Sequence, residues 1–236
     1  MVLLVKTIII HHKRLSIMKY LVFSLLLMPV FILKSQDKSP ELPRFSIRVN
    51  CGIPKLASSE LLRNTFSGII NAEASLNCKL FSNFFVGVGY SYSYSKSQDA
   101  LRKQNINPNM QMQNGYLKIG YDHFFSENGF TTISLNVGSN FTSFSGIQYY
   151  NDSLKGKYPT QFVSGFVEPQ LGVYLIVDPN LAIGGNIGYN YNFSQFDSRY
   201  PGTDKWLPNS SGLSNKWNIS SITLCFGMYI GLGKKK

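Results

Sequence analysis

Residues 84–95 read Phe-Phe-Val-Gly-Val-Gly-Tyr-Ser-Tyr-Ser-Tyr-Ser. From Val86 onward every second residue is large: Val86, Val88, Tyr90, Tyr92 and Tyr94. Between them stand Gly87, Gly89, Ser91, Ser93 and Ser95. A period of two requires an extended strand with two chemically distinct faces. A strand facing water usually carries Lys, Glu or Thr on its polar side. This one carries the smallest residues available, as suits a face turned into a crowded lumen. A transmembrane barrel wall has this form, apolar toward lipid and polar inside.

Seven further segments repeat the alternation. Residues 45–53 set Phe45, Ile47, Val49, Cys51 and Ile53 against Ser46, Arg48, Asn50 and Gly52, with Pro54 as the expected end. Residues 66–80 set Ile70, Ala72, Ala74 and Leu76 against Asn71, Glu73, Ser75, Asn77 and Lys79. From about residue 113 to 124, Leu117, Ile119 and Tyr121 oppose Tyr116, Lys118 and Asp122. Residues 130–144 place Ile133, Leu135 and Val137 opposite Ser134, Asn136 and Gly138. In 162–177, Val167, Leu171 and Val173 oppose Glu168, Gln170 and Gly172. Residues 181–193 set Ile183, Ile187 and Tyr189 against Gly184, Asn186, Gly188 and Asn190. Residues 217–232 carry Ile222, Leu224, Phe226, Met228 and Ile230 on one face.

Eight strands result. Tight turns at 82–83, 126–129 and 178–180 alternate with long polar connections at 54–65, 96–111, 145–161 and 194–215. That alternation fits an eight-stranded antiparallel up-and-down transmembrane β-barrel, with long loops outside and both termini in the periplasm. The turn at 126–129 ends in Gly129, where a positive φ is useful. Arg48, Glu73, Lys79, Lys118, Asp122 and Glu168 all fall on the face opposite the large apolar residues. A charge on the lipid face would cost about 2–4 kcal/mol near the midplane. Pro169 lacks an N–H for the ladder, and a bulge is expected there.

Composition agrees with the pattern. Charged residues make up 15% of the 236, against about 25% in typical soluble chains. Near the start, Lys19 precedes an apolar run at 20–33 and a small Ser35. Residues 1–35 therefore read as a secretory signal, with Met18 as an alternative start, and residues 36–236 as the barrel domain. Loss of that leader lowers the basic count from 23 to 18 against 12 acidic residues. The remaining charge is spread thinly, so nucleic-acid binding has no support. Cys51 and Cys78 are expected to face lipid and Cys225 the lumen, with no pair placed to bridge.

The chain resembles the outer-membrane β-barrel (porin-like) proteins of Bacteroidetes, and OmpA/OmpX-type small barrels in architecture. The resemblance rests on the Ser35-Gln36 leader end, the Val-Gly-Val-Gly-Tyr run, Gly-Gly-Asn-Ile-Gly-Tyr-Asn-Tyr at 184–191, and the last strand. It implies outer-membrane lipid and the barrel-insertion machinery as partners, with an extracellular or periplasmic protein partner left open. Such barrels commonly end in an aromatic residue, whereas this chain ends Gly231-Leu232-Gly233 and three lysines. Tyr229 or Phe226 could replace it.

Chemistry is sparse. Beyond His11 and His12 of the leader stands His123 alone, beside Phe124 and Phe125 at a strand end, as in an interfacial girdle. No phosphate loop, nucleophile elbow or zinc-protease motif occurs, so neither catalysis nor a cofactor or metal is expected. Two groups of residues carry the functional reading. The lumen charges Arg48, Glu73, Lys118, Asp122 and Glu168 should pair inside a space that side chains fill. The loop aromatics Tyr149, Tyr150, Tyr158, Phe196, Tyr200 and Trp206 are contact candidates. The Asp152-Ser153-Leu154 triplet resembles a Bacteroidetes O-glycosylation acceptor. A structural or surface-interaction role follows; the alternatives are a narrow porin-like channel and, third, a soluble lipid-binding barrel.

Overall fold

The computed structural model describes residues 42–58, 60–98, 108–145, 160–197 and 216–233. Eight strands form one closed antiparallel barrel: β1 (Phe45–Leu56), β2 (Phe66–Phe81), β3 (Phe84–Ser97), β4 (Asn109–Ser126), β5 (Gly129–Ser145), β6 (Gln161–Asp178), β7 (Leu181–Asp197) and β8 (Lys216–Leu232). Each strand pairs with its sequence neighbours, and β1 closes the ring against β8 from Phe45↔Leu232 to Leu56↔Ser221. A short helix, α1 (Glu60–Thr65), lies between β1 and β2. Closure leaves no unpaired sheet edge, the condition for backbone to cross a bilayer as strands.

The burial pattern follows the pleat. Leu117, Ile119, Val163, Leu224 and Phe226 are each more than half exposed, while Arg48, Glu73, Lys118 and Asn136 are buried. Apolar outside and polar inside is the reverse of a soluble lipid-carrying barrel. The three cysteines are unbridged: Cys51 exposed, Cys78 half-buried and Cys225 buried.

Several local expectations change. Pro54 does not end β1. It sits opposite Thr223 of β8, while the β1–β2 ladder stops at Gly52↔Asn71, so its missing N–H falls where no ladder runs. Pro169 makes no bulge: Leu135↔Pro169 keeps register with β5, and β7 pairing lapses between Val167 and Gln170 without a shift. In the tight turns the positive φ belongs to Ser82, at 46°, and not to Gly129. Gly129 instead leaves room for the Phe125 ring, which a Cβ there would meet at 2.5 Å.

The loop-end rim differs most. β4 begins at Asn109, and β7 continues to Asp197, beyond the expected Phe193. There the alternation inverts: Leu56, Met110, Met112 and Phe144 point inward and are buried, while Lys55, Gln111 and Ser143 lie on the opposite face. Below this level the wall is built for lipid. Above it the same strands follow the apolar-inside rule of a barrel in water.

Candidate functional site: the filled lumen

Inside the ring the side chains stack in three layers. Near the tight turns an aromatic layer joins Phe124, Phe130, Tyr174, Ala182 and Tyr229, with Leu42 packed on it from the segment before β1. Phe130 stacks on Tyr174 at 5.3 Å and meets Tyr229 edge-on at 5.7 Å. Arg48 sits directly above. Its Nη2 donates to both Asp122 oxygens at 3.0 and 2.7 Å, and Nη1 donates to Thr132 Oγ1 at 3.1 Å. The guanidinium also lies 4.1 Å from the Phe85 ring centroid and 5.4 Å from that of Tyr229. Planar, delocalised charge is what such a mixed aromatic and carboxylate cage accepts, which is a reason for Arg here and not Lys.

The middle layer centres on Glu73. Lys118 Nζ donates to Glu73 Oε1 at 3.1 Å and to Gln170 Oε1 at 2.8 Å. Tyr116 OH donates to Glu73 Oε1 at 2.7 Å, and Gln170 Nε2 donates to Glu73 Oε2 at 3.0 Å. Asn50 Nδ2 completes the set at 3.3 Å. Glu168 accepts from Gln170 Nε2 at 3.1 Å and from Asn190 Nδ2 at 3.2 Å, with no cation in contact among the described residues. Asn136, directly across from Glu168 on β5, has neither amide atom hydrogen-bonded.

Small residues make the room. A Cβ on Gly89 would strike the Tyr116 ring at 2.4 Å, and one on Gly188 would meet Glu168 Oε1 at 2.6 Å. The glycines and serines on the lumen side of residues 84–95 thus hold space for Tyr116 and Asn77. Toward the long loops, Asn71, Ser91, Ser93, Asn114, Asn140 and Thr142 continue the polar filling through side-chain hydrogen bonds. A third, apolar layer closes that end: Leu56, Phe66, Met110, Met112, Phe144 and Ile219, capped by Leu62 of α1, which is fully buried.

The five lumen charges therefore fall into two contacting groups, Arg48 with Asp122, and Glu73 with Lys118 and, through Gln170, Glu168. These ties connect β1, β2, β4 and β6 across the lumen, bracing the ring from within. Phe196 belongs to β7 and pairs with Trp217 in register, not to a loop. Tyr149, Tyr150, Tyr158, Tyr200 and Trp206 lie outside the described residues, as do Ser153 and residues 1–35. Reading the residues in sequence did not identify Leu62, Phe85, Phe130, Tyr174 and Tyr229 as lumen fillers. The signal available for Tyr229 and Tyr174 was their parity, opposite to Met228 and Leu175. Tyr229, considered as an assembly aromatic, points into the lumen; Phe226 faces outward.

An apolar outer belt, a polar filled lumen and a closed eight-strand register define a small transmembrane barrel. No protein-family model matches the chain, and no curated protein matches its sequence. Solved structures match its fold. Neisserial surface protein A (NspA) superposes with a TM-score of 0.54 at 16% identity, covering 81% of this chain and 99% of that one. A major outer membrane protein from Thermus thermophilus gives 0.45 at 14% identity, covering 79% and 97%. OprG from Pseudomonas aeruginosa gives 0.44 at 11% identity, covering 82% and 100%.

Proposed function

We propose that the chain is a non-catalytic outer-membrane barrel that acts through its loop-end surface, as a structural or interaction protein of the envelope. The filled lumen is the observation that carries this reading. Ion pairs brace its middle and apolar groups occupy both ends, so the interior serves stability and the loops are left for contact. In this reading residues 1–35 are a signal peptide and residues 36–236 the barrel, with termini in the periplasm. The barrel-insertion machinery takes the last strand, whose outward face runs Ile222, Leu224, Phe226, Met228 and Ile230. The Bacteroidetes-type assignment is supported by the Val-Gly-Val-Gly-Tyr and Gly-Gly-Asn-Ile-Gly-Tyr-Asn-Tyr runs. Tyr149, Tyr150, Tyr158, Tyr200 and Trp206 remain the contact candidates of the long loops, as rigid rings that order at low entropic cost.

Planar-bilayer recording tests the reading against a narrow channel. The expected result is a quiet membrane after insertion, confirmed by heat-dependent gel mobility of the recovered protein. Steady unit conductances would overturn it.

A further inference from the structure

On the loop side two ladders end early, β6–β7 at Phe166↔Asn192 and β1–β2 at Gly52↔Asn71, and the second of these borders a cleft. Beyond Gly52↔Asn71 the β1–β2 ladder ends, although β1 stays paired to β8 as far as Leu56 and β2 to β3 as far as Phe66. Where the ladder ends, with Gly68 still packed against the Pro54 backbone, lies a cleft of about 440 Å³ whose lining includes Lys55, Arg63, Ser67 and Gly68. Its floor is apolar, formed by Leu56 and Phe66 of the loop-end plug. Lys96 stands opposite Ser67 on the neighbouring strand, its Nζ 5.9 Å from the Tyr94 ring centroid.

Two observations indicate an occupant. The first is charge. Lys55 and Arg63 are exposed and Lys96 half-exposed. The described rim at the tight turns is mixed, with exposed Arg44 against Glu127 and Asp178. The second is level. Lys55 sits where the outward face turns from apolar to polar, one pleat above Ile53. Exposed Ile53, Ile69 and Ile70 lie just below on the lipid side. A cationic group over an apolar strip at a leaflet boundary fits an amphiphile with an anionic head.

We propose that this cleft is a lipid-headgroup site for a phosphorylated lipid of the loop-side leaflet. Lys55, Arg63 and Lys96 surround the phosphate, and Ile53, Ile69 and Ile70 lie along the acyl chains. The proposal rests on the membrane-barrel reading above.

The test uses the full protein in dodecylmaltoside micelles, with diphosphoryl lipid A as probe and its dephosphorylated form as control. Binding is read as a saturable rise in the thermal unfolding midpoint. Expected are about fivefold weaker binding for Lys55→Gln, Arg63→Gln or Lys96→Gln alone, and roughly a hundredfold for all three. Equal affinity in the triple variant, or equal binding of the dephosphorylated lipid, would overturn the site. Displacement by inorganic phosphate at matched concentration would reassign it to free phosphate and sink the lipid claim. Heat-dependent gel mobility, run first, separates these outcomes from failure of the barrel reading: a wild type without the shift has no closed wall and no cleft.

Discussion

Arg48→Met is the most informative single perturbation of the lumen. Arg48 is 2% exposed and holds both oxygens of Asp122, itself 6% exposed. Methionine keeps the stem volume and an apolar contact to Phe85 but leaves Asp122 with the Thr132 hydroxyl, at 2.6 Å, as its remaining side-chain partner among the described residues. An uncompensated buried carboxylate costs about 3–5 kcal/mol. That is a large share of the roughly 5–15 kcal/mol that stabilises a typical fold. The pair itself is worth far less, because both groups lost their hydration to form it. Arg48→Met with Asp122→Leu should therefore return to within about 1 kcal/mol of wild type.

Urea unfolding of the protein folded into phospholipid vesicles, followed by tryptophan fluorescence and by gel mobility, measures both variants. A double-mutant cycle isolates the coupling. The reasoning is refuted if Arg48→Met costs less than about 1 kcal/mol, or if the double variant costs the sum of its two singles.

Leu117→Arg places a charge on a lipid-facing position that is 65% exposed. It should destabilise by about 2–4 kcal/mol in vesicles, and by less in micelles, where water reaches the belt. Gly89→Ala should cost about 1–3 kcal/mol, because its Cβ meets the Tyr116 ring at 2.4 Å. Adding Tyr116→Ala should make the pair less costly than the sum, read from the same urea titrations.

The lipid belt was legible because the bilayer allows one solution per strand. A one-residue slip would turn Leu117, Ile119 and Tyr121 inward and push Lys118 and Asp122 into hydrocarbon, so register followed from apolar spacing alone. The same rule hid the loop-end rim. Met110 and Met112 share a parity with Asn114, and Gln111 with Gln113, so a search for outward apolar residues read this stretch as loop. The strands continue there with reversed polarity, because water has replaced lipid outside. The aromatic lumen fillers were obscured for a related reason. Phe85 follows Phe84 and Tyr229 follows Met228, so a run of large residues erases the alternation that would have revealed its inward member. Pro54 and Pro169 were misread because a proline's tolerance depends on which side of a strand lacks a ladder, and spacing does not carry that. The charge pairings were beyond sequence altogether: Glu73 and Gln170 meet across the barrel, 97 residues apart.

Glu168 shows how finely that lumen is balanced. Among the described residues, three buried carboxylates, Asp122, Glu73 and Glu168, share it with two buried cations, Arg48 and Lys118, and both cations are already engaged. Among the described residues Glu168 is served by two amides, and the amide of Asn136 opposite it in register is idle. Glu168→Gln removes the unmatched charge and keeps one of the two acceptor contacts, its N–H₂ taking the place of the other oxygen. Losing one hydrogen bond to a charged acceptor costs about 1.5–3 kcal/mol, and relief of an unpaired buried charge offsets most of it, so the variant should lie within about 1 kcal/mol of wild type. Glu73→Gln makes the same chemical change on β2, across the lumen. It strips the carboxylate from Lys118 and from the Tyr116, Gln170 and Asn50 donors, and should cost about 3–5 kcal/mol. Urea midpoints of the two variants, measured side by side in vesicles, decide the matter. Equal costs would mean that the two glutamates share one ion-pair network and that Glu168 is not its surplus charge.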